Sequence, residues 1–224
     1  MSIDAAGPGT RTGAVRHVLL VAANRIAQTG YRAVEEADPS ITFDWIAAST
    51  EEALRILASA KPDLLLVDLT DDRLHGTQLI HEVVAAHPAI RVLAVSARED
   101  LIEAEVALQG GAGGYVCRSA ALEEIIKAMH LVADGSNYLD PALAQRIALQ
   151  KLMGKSSNLR GLSPREYEVF CMLAADVPLK EIARLLNLSY KTVANYGGTI
   201  KAKLKLSTRE DLRALARRTG VIPG

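Results

Sequence analysis

Between Val15 and about Ala144, short apolar runs alternate with amphipathic stretches of helical period. The runs are His17–Ala23, Thr42–Ala47, Asp63–Leu69, Arg91–Ser96 and Gly114–Cys117. The helical stretches lie near Ile26–Glu36, Thr50–Ala60, Thr77–His87, Asp100–Gln109 and Ala121–Ala133. Strands alternating with helices in this way predict an α/β domain, a doubly wound parallel sheet covered on both faces. In such sheets function gathers at the carboxyl ends of the strands. Those ends carry Ala22 and Ala23, Asp68, Ser96 and Arg118.

The last third of the chain changes period and reads as a small all-α domain. Ser163-Pro164-Arg165-Glu166 is a strong helix start: a hydroxyl cap, Pro at the first helical position, and a Glu to close a capping box. Val169, Phe170, Leu173 and Ala174 then recur at helical spacing, and Pro178 is expected to stop that helix. A short helix follows with Ile182, Ala183, Leu185 and Leu186 turned inward. Asn187-Leu188-Ser189 makes a tight turn, with Ser189 placed to cap a longer helix running to about Lys205. Two helices joined by so short a turn, the second one basic, form the helix-turn-helix that fills a DNA major groove.

Charge sharpens the division. The chain is formally neutral, yet from Lys155 to the C-terminus thirteen Lys and Arg stand against six Asp and Glu. The preceding residues hold the other thirteen basic and twenty acidic groups, so a module of balance −7 precedes one of +7. A basic module attracts a phosphate backbone with salt-dependent affinity. The plainer alternative is a solvated charged face. At 224 residues two domains are expected, here 15–134 and 161–224, with a flexible tail over 1–14 and a linker over 135–160. The hinge of that linker is read at Gly154-Lys155-Ser156-Ser157-Asn158.

Several chemistries find no support. Cys117 and Cys171 lie in different predicted domains and suggest a reducing, cytoplasmic setting rather than a disulfide framework or a zinc site. The polar, Gly-rich N-terminus lacks the apolar core of a signal peptide, and no eighteen-residue apolar run predicts a membrane span. His75, His81, His87 and His130 show no metal-ligand spacing, and no Ser or Cys sits beside a His as an activated nucleophile. Neither an enzyme nor a bound metal is expected. Gly110 to Gly114 follows a helix and precedes a strand, the reverse of a nucleotide-binding loop, and is a turn.

Asp68 ending the third strand, Ser96 ending the fourth, and Gly114-Tyr115-Val116-Cys117-Arg118 on the fifth resemble the receiver domain of a bacterial response regulator. With LSPREYEVFCMLA and IARLLNLSYKTVANY behind it, the chain from Val15 to Ile222 resembles the NarL/FixJ family, whose effector is of the LuxR type. The resemblance implies a phosphoacceptor at Asp68, a DNA-binding dimer on paired half-sites, and a last helix, Arg209 to Arg217, through which dimers form. It also implies that an idle receiver covers the recognition helix.

Two departures matter. Where the family carries an acidic pair that holds Mg²⁺ with the phosphorylatable Asp, this chain has Ala22 and Ala23. Phosphoryl transfer needs a cation to neutralise and orient the phosphoryl oxygens, and Mg²⁺ wants near-octahedral oxygen ligands. Mg²⁺ binding is therefore expected to be weak or absent unless Asp71 or Asp72 substitutes. Where the family has a Lys, this chain has Arg118, whose planar fork is not equivalent to a compact ammonium. One reading is a fixed Arg118–Asp68 ion pair imitating a switched state. Ser96 and Tyr115 match the positions through which the family relays phosphorylation; alternatively, Ser96 is a strand-end hydrogen bonder and Tyr115 a packed surface ring.

On the recognition helix, Val193, Ile200 and Leu204 share one face and should pack inward. That leaves Lys191, Thr192, Ala194, Asn195, Tyr196, Gly198, Thr199 and Lys203 toward DNA or its flanks. Lys191, Thr192, Tyr196 and Lys203 suit phosphate oxygens, and Asn195 suits bidentate readout of adenine. Gly197-Gly198 costs about 1 kcal/mol per residue relative to Ala in a helix. Either the backbone approaches DNA closely, or binding is weaker and the helix stiffens only on DNA, or DNA binding has been lost; retained binding is the expectation. The expectation is a cytoplasmic, homodimeric transcription regulator of double-stranded DNA, controlled by a small-molecule ligand, a partner protein or protein level. The alternatives are a conventional phosphorylation-dependent regulator using Asp68, and an interaction protein acting as a heterodimer partner with weak DNA binding.

Overall fold

The computed structural model describes residues 15–70, 75–97, 101–152, 159, 161–219 and 221–222. The tail over 1–14, Asp71 and Asp72, and the hinge read at 154–158 lie outside the described residues.

Six strands form one parallel sheet: β1 (Arg16–Val21), β2 (Ile41–Ala47), β3 (Leu64–Asp68), β4 (Arg91–Ser96), β5 (Gly114–Cys117) and β6 (Tyr138–Leu139). Their order is β2-β1-β3-β4-β5-β6. The chain order reverses at β1, so a crevice opens beyond the carboxyl ends of β1 and β3, the usual place for a site in such sheets. The central strands are buried on both faces, and their side chains alternate between two cores. Leu19, Val21, Leu65 and Val67 point to one core; Val18, Leu20, Leu64 and Leu66 point to the other.

The second of these cores is closed by α1 (Arg25–Ala37) and α5 (Leu122–Ala133), which contribute Tyr31, Val34, Ile125, Met129 and Val132. The first is closed by α2 (Thr50–Leu57), α3 (Gly76–Ala86) and α4 (Leu101–Gln109). The five expected strand–helix units are all present. The sixth strand was not anticipated, because two residues carry no periodic signal. It is admitted by Gly114: a Cβ there would lie 2.9 Å from the Tyr138 carbonyl oxygen and 2.8 Å from Val132. Beyond it, α6 (Pro141–Leu152) returns over the first core through Leu143 and Ile147.

The second domain is helical: α7 (Pro164–Ala174), α8 (Leu179–Leu185), α9 (Tyr190–Leu204) and α10 (Arg209–Thr219). The capping box at α7 forms as read, with Ser163 and Glu166 exchanging side-chain and backbone hydrogen bonds. The chain leaves α7 through a left-handed Asp176 rather than at Pro178, which instead caps α8. Asn187, also left-handed, makes the tight turn, and the Ser189 hydroxyl accepts from the Thr192 amide to cap α9. Val193, Ile200 and Leu204 are buried as their spacing required. Leu185 corrects the reading that turned it inward: it is 39% exposed, because Leu186, not Leu185, completes the inner face of α8.

The two domains pack through α3 and α4 against α7. Ile102 and Val106 of α4 join the core of the second domain beside Phe170. Thr77 donates to Glu168 at 3.4 Å, and a His75 ring nitrogen lies 3.2 Å from the Leu185 carbonyl oxygen. Burial raises the Glu168 carboxyl above its ordinary pKa, and Arg165, 2.9 Å away, opposes that shift.

Gly198 tests how far α9 departs from an optimal helix. A Cβ there would meet nothing within 4 Å, so Gly198→Ala is expected to raise the second domain's unfolding free energy by about 1 kcal/mol in a urea titration.

Candidate functional site

At the sheet crevice Asp68 ends β3 and is only 3% exposed. A carboxylate in such a place must be satisfied from within. Its Oδ1 accepts the Thr70 backbone N–H at 2.9 Å. Its Oδ2 accepts the Tyr31 hydroxyl at 3.1 Å, and the nearest Arg118 nitrogen lies 3.5 Å away. Burial, reinforced by the Asp68 charge, pushes the Tyr31 hydroxyl far above its ordinary pKa, so it remains a donor to Asp68. The expected Arg118–Asp68 pair thus exists, but at the long limit of an ion pair, and Tyr31 and Thr70 hold the carboxylate more closely.

Ala22 and Ala23 face Asp68 across the crevice. Together with Asn24, Ala27, Thr70 and Arg118 they line a cavity of about 120 Å³ in which Asp68 is the one acidic group among the described residues. The carboxyl end of β1 therefore contributes methyl groups where a carboxylate would have been a ligand.

Ser96 and Tyr115 are joined by a residue that the sequence reading did not single out. The Ser96 hydroxyl donates to Glu103 Oε2 at 2.6 Å, and the Tyr115 hydroxyl donates to the same oxygen at 2.9 Å. All three side chains are buried. Tyr115 is not a packed surface ring; it is fully enclosed, because its hydroxyl finds a carboxylate in the interior. Glu103 also borders the cleft between the domains, beside Tyr167 and Glu168. A signal for Glu103 was present in the sequence: a carboxylate on an otherwise strongly apolar helix face needs a buried partner. No comparable signal marked Tyr31 on α1.

The recognition helix lies open. Lys191, Asn195, Gly198 and Thr199 are exposed, and the receiver-like domain packs on α7 and the end of α8 instead. The expectation that an idle first domain covers α9 is thus not met in this arrangement. The centre of the outward face, opposite Val193 and Ile200, carries Lys191, Asn195, Gly198 and Ala202 at spacings of four, three and four. Ala202 and the flanking Lys201, both exposed, were missed. Three other expected contacts are partly committed within the domain. The Thr192 hydroxyl lies 2.7 Å from that of Ser189, in the cap. Tyr196 is half-buried against the helical core. Lys203 donates to Glu166 at 2.6 Å, satisfying the carboxylate of the capping box. Gly197 and Gly198 touch nothing that requires a glycine: a Cβ at Gly197 would meet Leu173 at an ordinary 3.8 Å.

On α10, Leu212, Leu215 and Ala216 are buried in the domain's own core. They therefore do not form an outward dimer stripe. The exposed face offers Arg209, Glu210, Ala214, Arg217 and Arg218. Among the described residues no group of His, Cys, Asp and Glu has a metal-holding arrangement, and no helix is long and apolar enough to cross a membrane.

Removing the Tyr31 hydroxyl isolates its contribution. Tyr31→Phe leaves the buried Asp68 Oδ2 with only the distant Arg118, and is expected to destabilise the first domain by about 1–3 kcal/mol in urea unfolding. An unchanged unfolding midpoint would show that Arg118 closes in to compensate.

Comparison with known proteins agrees with this geometry. Residues 18–130 match the response regulator receiver domain, and residues 160–216 match the bacterial regulatory proteins of the luxR family. The chain is 34% identical over 178 residues to the response regulator GacA of Pseudomonas viridiflava, covering 79% of this chain and 83% of the relative. It is 27% identical over 195 residues to the nitrate/nitrite response regulator protein NarL of Escherichia coli K12, covering 86% of this chain and 90% of the relative. Among solved structures, RcsB from Salmonella enterica serovar Typhimurium, bound to promoter rprA in the presence of phosphomimetic BeF3-, shares the fold with a TM-score of 0.68 at 20% identity. That match covers 90% of this chain and 98% of the other. The chain belongs to the NarL/FixJ family of response regulators, DNA-binding transcription regulators in which a receiver domain is joined to a LuxR-type helix-turn-helix.

Proposed function

We propose that this regulator reads paired DNA half-sites as a homodimer and is controlled without aspartyl phosphorylation. The observation that carries the reading is the crevice around Asp68. A Mg²⁺ ion needs several oxygen ligands at about 2.0–2.1 Å in octahedral array. The crevice offers one carboxylate already engaged by Tyr31, Thr70 and Arg118, and two alanine methyls opposite it. Among the described residues, a cation placed there would meet the positive charge of Arg118 with Asp68 as its one carboxylate. The described residues do not fit the ion; Asp71 and Asp72 lie outside them.

The rest of the relay is retained in altered form. Ser96 and Tyr115 are drawn inward by Glu103, a carboxylate of the chain itself, so their arrangement needs no phosphoryl group. Because α9 is exposed in the same arrangement, DNA can be engaged without first displacing the receiver. Lys191 supplies a phosphate contact and Asn195 the best-placed amide for base readout. Gly198 and Ala202, beyond them on the same face, let the helix backbone come close to the groove floor. The dimer that two half-sites require uses surfaces other than Leu212, Leu215 and Ala216, which are already buried.

Two measurements test this reading. Incubation with acetyl phosphate and Mg²⁺ is expected to give no acyl phosphate at Asp68, while the untreated protein enriches a paired motif from sheared genomic DNA. Acyl phosphate formed at sub-millimolar Mg²⁺ and lost in Asp68→Ala would restore the conventional reading. On the enriched site, Asn195→Ala should cost about 1–3 kcal/mol and relax the preference for one base, whereas Lys191→Ala should lower the salt slope by about one. Equal losses on all sequences for both variants would remove Asn195 from direct readout.

A further inference from the structure

A cleft of about 540 Å³ runs between α1 and α5 on the receiver. Its walls are apolar, formed by Ile26, Ala27, Gly30, Val34, Leu122 and Ile125. Gly30 leaves space in the α1 wall: a Cβ there would meet nothing within 4 Å. At its inner end the cleft reaches Tyr31, Asn24 and Arg118, and Arg118 is the one charged residue in its lining. Asn24, Ala27 and Arg118 also line the smaller cavity over Asp68, so the two spaces adjoin.

The disposition of Arg118 says what chemistry suits the cleft. Its side chain is 41% exposed and stands 3.5 Å from Asp68, too far for a strong hydrogen bond. Asp68 keeps the Thr70 N–H and the Tyr31 hydroxyl if the guanidinium turns away. The remaining N–H groups of Arg118 form a planar fork suited to a bidentate carboxylate. With Ala22 and Ala23 at the end of β1, no further carboxylate from that strand repels an incoming anion. A concave, mostly apolar space with one convergent charged group is the usual form of a small-molecule site.

We propose that this cleft binds a small apolar molecule carrying a carboxylate, its tail between α1 and α5 and its head on Arg118. Occupancy is felt at Asp68 in two ways. Tyr31, a wall of the cleft, is also a donor to Asp68, and the ligand's head competes with Asp68 for Arg118. The inference rests on the reading that Asp68 is not the phosphoryl input. The two fail separately, since acyl phosphate formation reports on Asp68 chemistry while ligand binding reports on the cleft.

The test uses the full-length chain labelled with ¹⁵N and titrated with octanoate, with octanol as the uncharged control. Saturable amide shifts are expected at Gly30, Ile125 and Arg118, with octanol binding at least about tenfold more weakly for want of the charge-assisted pair. Gly30→Leu places a side chain in the open wall and improves helix propensity, so it should abolish binding while the unfolding midpoint holds or rises. Arg118→Gln should weaken octanoate about tenfold and leave octanol unchanged. Equal affinity for octanoate and octanol, or binding that survives Gly30→Leu, overturns the proposal. So does a dimer in sedimentation that Gly30→Leu dissociates, because the cleft would then be a face between copies of this chain.

Discussion

The buried carboxylate of Asp68 is the constraint around which this receiver is arranged. Asp68 stands at the centre of the crevice because β3 is the central strand beside the topological reversal. Burying such a group unpaired is costly, and here the cost is offset by a tyrosine hydroxyl, a backbone amide and a long contact to an arginine. Each partner comes from a different element: α1, the turn after β3, and the end of β5. The carboxylate thus holds together three segments of the receiver.

A second buried carboxylate, Glu103, does the corresponding work further along the sheet. It gathers the Ser96 and Tyr115 hydroxyls and lies on the helix whose other residues, Ile102 and Val106, enter the core of the DNA-binding domain. The hydroxyls at the strand ends and the interdomain contact are therefore mechanically adjacent. Packing through α7 rather than α9 has a direct consequence for recognition. The receiver holds the effector by its supporting helix and leaves the reading helix in solvent. In this arrangement the receiver does not occlude α9.

The recognition helix itself balances stability against approach. Gly197 and Gly198 lower helix propensity, yet neither has a packing reason within the chain. Their neighbours at the centre of the outward face are Lys191, Asn195 and Ala202, so that line carries one cation, one amide and then a low surface. Lys203 and Thr192, which look equally available in the sequence, are also engaged at the domain's own caps.

Local patterning was enough to determine the alternation of five strands and five helices, the helix-turn-helix with its capping box, the inward face of α9 and the family. Each depends on neighbours within a few residues, where period and cap chemistry act directly. The residue types at Ala22, Ala23 and Arg118 were legible for the same reason. What surrounds those positions was not. Tyr31 meets Asp68 across thirty-seven residues, and Thr77 meets Glu168 across ninety-one. The choice of α7 as the docking helix, the placing of Leu185 at the domain boundary, the enclosure of Tyr115 and the two-residue β6 all arise from such distant contacts. Only the tertiary structure decided them, because the free energy that selects a partner for a buried polar group depends on which chain segments packing brings together, and no local pattern encodes that.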